Sequence, residues 1–366
     1  MGALPPLYAK WLKEIITDEI EGEKPTTCDN CAMCSGSSRA QAKETIGFYN
    51  PLTKCCTYLP ELPNFLVGRI LLDSAPPADF GKQGVEARIE AKEAITPFGV
   101  GKPDKYTKQY RDNPKDFGQN LEMRCPHYIV EGGLCGLWTN RNSVCTTWFC
   151  KHQRGQVARE FWKAMHEFLN VIETTVVHWC VLQLDPGIES LAYLFPLSYD
   201  SFLPPRNTIE PEVYQQAWGT WLGREKEFYI ECARLVETLS WQQIAEAGGV
   251  KLEAYRRLLE AANLKRNTKT LPIALYKAKF KVIEQLEASI IVSGYSPLDP
   301  INMPVALYDT LDYFDGKPIE KTLEQIKHEK NLKLNEGLVQ KLLDFGILTE
   351  KDPEKDTPYN SSFGEL

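Results

Sequence analysis

Residues 125–150 read CPHYIVEGGLCGLWTNRNSVCTTWFC and carry four cysteines, with nine, nine and four residues between successive thiols. Upstream, residues 28–34 read CDNCAMC, and a CC pair follows at Cys55 and Cys56. Nine of the 11 cysteines of the chain thus fall between residues 28 and 150. Thiols that only fill a core would be scattered over all the apolar elements. Their confinement to one region indicates a shared role.

A metal explains this pattern better than disulfides do. Two cysteines three residues apart form only a strained bridge, and a third at the same step has no partner. Thiolates are soft ligands that bind zinc or iron in fours, and the third equally spaced cysteine is more typical of iron–sulfur clusters than of zinc fingers. We therefore expect an iron–sulfur cluster of the 4Fe-4S type, with zinc as the alternative. The predicted ligands are Cys28, Cys31, Cys34, Cys55, Cys56, Cys125, Cys135, Cys145 and Cys150.

The number of thiols leaves two arrangements open. Adjacent Cys55 and Cys56 point in different directions on an extended backbone, so each can serve a different metal. Nine thiols can then hold two four-ligand centres with one left over. Alternatively, they hold one centre and a redox-active or substrate-facing pair.

Polar side chains close to these cysteines in the sequence are candidates for supporting roles. Histidines two residues after a cysteine can hydrogen-bond a cluster sulfur, and cations beside the thiols can offset the negative charge of a thiolate-bound cluster. No residue stands out as catalytic, so the sequence does not establish whether the protein is an enzyme. The predicted supporting residues are His127, Arg141, Lys151 and His152.

The order C-x2-C-x2-C … CC … C … GG-x-C … R … C-x4-C over residues 28–151 resembles the YkgJ-like family of zinc- or iron-chelating cysteine-cluster proteins, which includes the flagellin lysine N-methylase. In that family the doubled cysteine closes the first motif directly, whereas here it follows at Cys55 and Cys56. The positions of Cys125, Cys135 and Cys145 fit the family order more closely. The resemblance implies a bound iron–sulfur cluster or zinc.

Composition and missing motifs exclude several other classes. The net charge of -7, from 42 basic and 49 acidic residues, argues against a protein that coats nucleic acid. The N-terminus lacks a signal-peptide pattern, and no apolar run reaches the roughly 18 residues of a membrane span. We therefore expect a cytoplasmic protein without a membrane partner. P-loop, G-x-S-x-G and H-E-x-x-H motifs are absent.

The predicted fold is mainly α, with an irregular cysteine-rich metal-binding region at the N-terminus and a helical C-terminal region that ends in a winged-helix-like unit. Apolar residues at helical spacing predict a long helix over 154–184, and a shorter one is predicted over 84–95. The predicted divisions are a cysteine-rich domain (1–150), a helical domain (151–270), a winged-helix-like unit (271–350) and a polar tail (351–366).

Residues 236–260 follow a helix-turn-helix rhythm. Ser240 is the predicted N-cap of a helix that ends before Gly248 and Gly249. Arg256 and Arg257 lie on the following helix, where they could contact phosphate. A plain packing role is more common for such a helix pair, so nucleic-acid binding is the less favoured possibility.

Three function classes follow from these patterns. The first is electron transfer or cluster-dependent modification of a protein partner, with docking through the C-terminal region. The second is a zinc-stapled or cluster-sensing regulatory module whose helix-turn-helix binds DNA or protein. The third is a purely structural zinc protein.

Overall fold

The computed structural model describes residues 4–17, 20, 22–23, 31–34, 49–196 and 210–355. The predicted ligand Cys28 and the tail from residue 356 lie outside the described residues. The chain divides into two compact units. The first contains the described residues within Met1–Gln41, Phe48–Trp148 and Trp162–Ala261, and the second those within Phe149–Phe161 and Ala262–Leu366.

The described chain is mostly helical with small sheets, which confirms the prediction of a mainly α protein. In the first unit β1 (Leu62–Pro63), β3 (Gly99–Val100) and β2 (Ile95–Thr96) form one small antiparallel sheet, and β4 (Tyr128–Ile129) and β5 (Leu134–Cys135) form a hairpin. The elements up to residue 267 are α1 (Pro6–Leu12), β1 (Leu62–Pro63), α2 (Asn64–Leu72), α3 (Ala78–Glu90), β2 (Ile95–Thr96), β3 (Gly99–Val100), α4 (Asp104–Asp112), β4 (Tyr128–Ile129), β5 (Leu134–Cys135), α5 (Ser143–Thr147), α6 (Gly155–Leu184), α7 (Ile188–Leu194), α8 (Pro211–Trp218), α9 (Glu225–Thr238) and α10 (Trp241–Asn267).

Helix α6 has nearly the predicted bounds, because its apolar residues recur every three or four positions and form one continuous buried face. Its residues from Trp162 onward belong to the first unit. Neither α6 nor any other helix of the described chain combines the length and apolarity that a membrane crossing requires. The buried face in the first unit includes Trp162, Met165, Phe168, Leu169, Ile172, Val176 and Cys180.

Helices α2 and α9 approach each other closely at Gly68. A Cβ atom on this residue would lie 1.8 Å from the backbone oxygen of Tyr229 and 2.8 Å from the Cβ of Ala233. Only glycine fits at this point. Cys180 and Cys232 are fully buried in the same unit, and the Cys180 thiol donates to the Cys232 carbonyl at 3.9 Å.

The region of the predicted helix-turn-helix contains α9 and α10. Ser240 caps α10 in a capping box: its Oγ accepts from the Gln243 N–H at 3.3 Å, and Gln243 Oε1 accepts from the Ser240 N–H at 3.0 Å. Gly249 interrupts α10 with a left-handed backbone, at φ 54° and ψ -144°. The chain therefore has a short helix before Gly249 and a longer one after it.

The second unit ends in two small antiparallel sheets and three helices. One sheet has the order β7 (Lys281–Gln285), β8 (Ser289–Ser293), β9 (Ile301–Pro304). The other has the order β10 (Asp315–Pro318), β6 (Ala274–Lys277), β11 (Leu348–Thr349). Its core is one apolar cluster that includes Leu275, Val292, Leu311, Ile326 and Val339. The elements are β6 (Ala274–Lys277), β7 (Lys281–Gln285), β8 (Ser289–Ser293), β9 (Ile301–Pro304), α11 (Val305–Tyr308), β10 (Asp315–Pro318), α12 (Ile319–Lys330), α13 (Glu336–Asp344) and β11 (Leu348–Thr349).

Arg154 connects three segments of this second unit. Its guanidinium donates from Nε and Nη2 to the two carboxylate oxygens of Asp344, both at 2.8 Å. Nη1 donates to the carbonyl of Thr268 at 2.8 Å and to that of Arg266, at the end of α10. Both side chains of the ion pair are largely buried, and removing their charges from water costs free energy. The two parallel hydrogen bonds between Arg154 and Asp344 offset this cost.

Candidate metal centre

Four predicted ligands are carried by neighbouring segments of the first unit. The Cys125 N–H donates to the Cys56 carbonyl at 2.8 Å, which joins the CC turn to the start of the β4–β5 hairpin. Cys135 lies on β5 of this hairpin. Cys145 lies on α5, and its N–H donates to the side chain of Asn142, the N-cap of that helix, at 3.1 Å. We call Cys56, Cys125, Cys135 and Cys145 the second thiol group.

The thiols of this second group lie within range of one another's charge. Burial raises the pKa of Cys125, and negative charge on Cys135 and Cys145 raises it further. A hydrogen bond with Cys55 lowers the pKa of Cys56, but burial and the charges of the other three thiols outweigh it, so that the pKa is raised. Four thiolates cannot coexist in this space unless a cation offsets their repulsion.

Three described thiols upstream of Cys56 form a first thiol group, Cys31, Cys34 and Cys55. Cys31 and Cys34 hydrogen-bond to each other, which lowers the pKa of Cys31 to about 6 and raises that of Cys34. The pKa of Cys55 is raised by its hydrogen bond with Cys56, by burial, and also by the charge of Cys31. Cys55 thus links the two groups, because it interacts with Cys31 of the first and with Cys56 and Cys145 of the second.

No three cysteine, histidine, aspartate or glutamate side chains of the described residues converge closely enough to enclose a metal ion. Two pairs of thiols hydrogen-bond instead, Cys31 with Cys34 and Cys55 with Cys56. Sulfur ligands lie about 2.3 Å from zinc. A metal would therefore have to draw the thiols of each group inward.

Arg141 lies beside the second thiol group, where the sequence predicted a cation. It is 8% exposed, its guanidinium carbon lies 3.6 Å from the centre of the Trp138 ring, and its Nε donates to the Trp138 carbonyl at 3.0 Å. Burial raises the pKa of Cys145, and the charge of Arg141 opposes this. Arg141 therefore favours the thiolate form of Cys145.

Several buried polar atoms near the second thiol group have no hydrogen-bond partner among the described residues. They are the two ring nitrogens of His127, the Oγ1 of Thr146, the Nε1 of Trp148, and the Nε and Nη1 of Arg88. Buried donors are almost always satisfied in folded proteins, by protein, by water or by a bound ion. Burial raises the pKa of thiols in this group, so unsatisfied donors around them fit a site whose sulfur atoms become anionic when metal binds.

Cys150, Lys151 and His152 are buried in the second unit. The His152 N–H donates to Asp299 Oδ2 at 3.0 Å, and its Nδ1 lies 3.1 Å from the hydroxyl of Tyr295. Lys151 Nζ lies 3.8 Å from Asp299 Oδ1. Burial lowers the pKa of His152 to about 4, so its ring is neutral at pH 7. Asp299 and Tyr295 stand in the connection between β8 and β9, and the sequence did not indicate them as partners.

Glu173 on α6 is a buried carboxylate that sequence reasoning missed. Its oxygens accept from the Ser143 N–H at 2.6 Å, from the Ser143 hydroxyl at 2.7 Å and from the hydroxyl of Tyr8. These bonds hold the first residue of α5, the helix that carries Cys145. A charged residue at position 173, next to Ile172 on the apolar face of α6, is the signal that could have revealed it.

Comparison with known proteins does not assign this chain to a family. No protein-family model matches the chain, and neither a curated protein nor a solved structure matches it.

Proposed function

We propose that this is a metal-chelating protein that holds iron–sulfur clusters through its cysteines. It uses them for electron transfer or for cluster-dependent modification of a protein partner. The observation that carries the proposal is the second thiol group, in which four thiols from three segments act on one another's ionisation. Such a set matches the four thiolates that one cluster requires.

The residues of the chain have the following roles in this proposal. Cys56, Cys125, Cys135 and Cys145 hold one centre, and Arg141 offsets its negative charge. The first thiol group, completed by Cys28 on the basis of its spacing, holds the other centre, and Cys150 is left over. A bound cluster supplies one-electron redox chemistry, and burial around Cys125 limits the access of water to it.

Zinc is the second candidate, because the strands of the thiol-bearing region are only two residues long. Such a region gains stability from a metal that binds only the folded chain. In this second candidate function the chain is a binding or regulatory module that zinc stabilises. Arg256 pairs with Glu253 and Glu260, and Arg257 pairs with Glu253, which reduces the charge available to phosphate. A protein partner is therefore favoured over DNA, with the winged-helix-like end of the chain as its docking site.

Metal analysis of protein purified without oxygen tests the proposal. Iron, acid-labile sulfide and a visible absorption band are expected in the full-length chain. Cys125→Ser and Cys145→Ser should each lose the iron and sulfide of one centre. Cys180→Ser, a buried thiol of the same unit outside both groups, should keep them. A colourless protein with stoichiometric zinc would establish the second candidate, and a chain without either metal would refute both.

A further inference from the structure

His127 is buried beside the second thiol group without a hydrogen-bond partner for its ring. The side chain is 1% exposed, and neither Nδ1 nor Nε2 has a partner among the described residues. Buried donors in folded proteins almost always have a partner, so this ring is an exception. Its backbone is already used at the site, because the His127 N–H donates to the thiol of Cys125 and lowers its pKa.

The ring is held in place by a close contact between α3 and the β4–β5 hairpin. A Cβ atom on Gly81 would lie 2.3 Å from the carbonyl oxygen of Gly136, so two glycines allow the backbones to touch. The Gly136 N–H donates to the His127 carbonyl at 2.9 Å. A Cβ atom on Gly84 would lie 3.2 Å from both Cε1 and Nδ1 of the ring. The imidazole therefore has little room to turn toward another partner.

Arg88 follows Gly84 by one turn of α3 and is also buried. Its Nη2 donates to the carbonyls of Gly101 at 2.7 Å and Glu93 at 3.2 Å. Its Nε lies 3.5 Å from Glu93 Oε2 without meeting hydrogen-bond geometry, and Nη1 has no hydrogen-bond partner among the described residues. The positive charge of Arg88 acts on Cys125 and favours its thiolate form.

We propose that His127 and Arg88 form a donor pair that hydrogen-bonds to the sulfur atoms of the centre held by the second thiol group. This inference rests on the proposed function, and it assigns the two residues a positioning and tuning role. Donors directed at ligand sulfurs stabilise the more negative, reduced state of a cluster and so raise its reduction potential. The same bonds slow the loss of a thiolate-bound metal.

The test compares His127→Phe, which keeps an aromatic ring without donors, with His166→Phe, the same change at a half-buried histidine of α6. Iron and sulfide are measured first, and the midpoint potential is then titrated through the visible spectrum. The His127 variant should keep its cluster but show a lower potential, while the His166 variant should match the wild type. His127→Asn, which restores a donor, should recover part of the difference. A fully loaded His127→Phe protein with an unchanged potential would overturn the inference and leave the proposed function intact.

The test has three further outcomes. If the wild type holds zinc, the readout becomes the rate of zinc transfer to a chromogenic chelator. That rate should rise for His127→Phe, since lost outer hydrogen bonds weaken metal binding by about 10–100-fold; an equal rate would overturn the inference. If His127→Phe does not fold, Gly84→Ala displaces the same ring by a few tenths of an ångström and should lower the potential in the same direction. A wild type without metal removes the proposed function and this inference together.

Discussion

The buried carboxylate of Glu173 makes the stability of the first unit depend on pH in a predictable direction. Burial raises its pKa from 4.5 to about 6, against the lowering effect of the hydrogen bonds from Tyr8 and Ser143. Between these values the folded chain binds more protons than the unfolded chain. Glu173 therefore contributes stability that is fully present at low pH and is lost as the pH rises through about 6.

The size of this effect follows from the pKa difference. One pKa unit corresponds to about 1.4 kcal/mol, so the full contribution is about 2 kcal/mol, of which about 1 kcal/mol is present at pH 5. Glu173→Gln removes the titration and keeps a side chain of the same shape. We therefore expect the unfolding free energy of the wild type, minus that of Glu173→Gln, to be about 1 kcal/mol larger at pH 5 than at pH 7.5.

Urea unfolding of both proteins at the two pH values is the assay, because the contributions of the thiols and any bound metal cancel in the difference. Glu173→Leu is the matched control for hydrogen bonding. It leaves the hydroxyl of Tyr8 and both donors of Ser143 unpaired, and each such group costs about 1–3 kcal/mol. It should therefore be the less stable variant at both pH values. If the difference in unfolding free energy between the wild type and Glu173→Gln is the same at both pH values, the reasoning is refuted.

Four other substitutions test an ion pair, the packing at two glycines and a helix cap. Arg154→Met should destabilise the second unit by about 3 kcal/mol, because it leaves the carboxylate of Asp344 buried without its cation; chemical unfolding measures this, and a loss below 1 kcal/mol would contradict it. Gly68→Ala should lower the thermal midpoint, since overpacking costs about 1–3 kcal/mol. Gly337→Ala in α13, where the added Cβ would lie in ordinary contact 3.4 Å from Asn335 Oδ1, should be neutral or slightly stabilising, and equal effects at the two glycines would contradict the packing argument. Ser240→Ala should cost about 1 kcal/mol in urea unfolding through loss of the N-cap of α10.

Features that depend on nearby residues could be predicted from the sequence. The buried face of α6 follows from apolar residues three and four positions apart, and the capping box follows from Ser240 and Gln243 at their required spacing. The shorter helix predicted over 84–95 is α3, which begins at Ala78 and ends at Glu90. Gly81 and Gly84 weaken its local helix signal, and the tertiary contact with the β4–β5 hairpin explains why they are there.

What the sequence determined by itself is the concentration of thiols before residue 151 and the helical character of the chain, because composition and short-range periodicity are properties of local sequence. Only the tertiary structure placed Arg88 and Glu173 beside the segments that carry Cys125 and Cys145, and only it paired His152 with Asp299. Glu173 is separated from Ser143 by 30 residues and His152 from Asp299 by 147. Such partners meet only when distant elements pack together, and a contact of that kind leaves no periodic signal in the sequence.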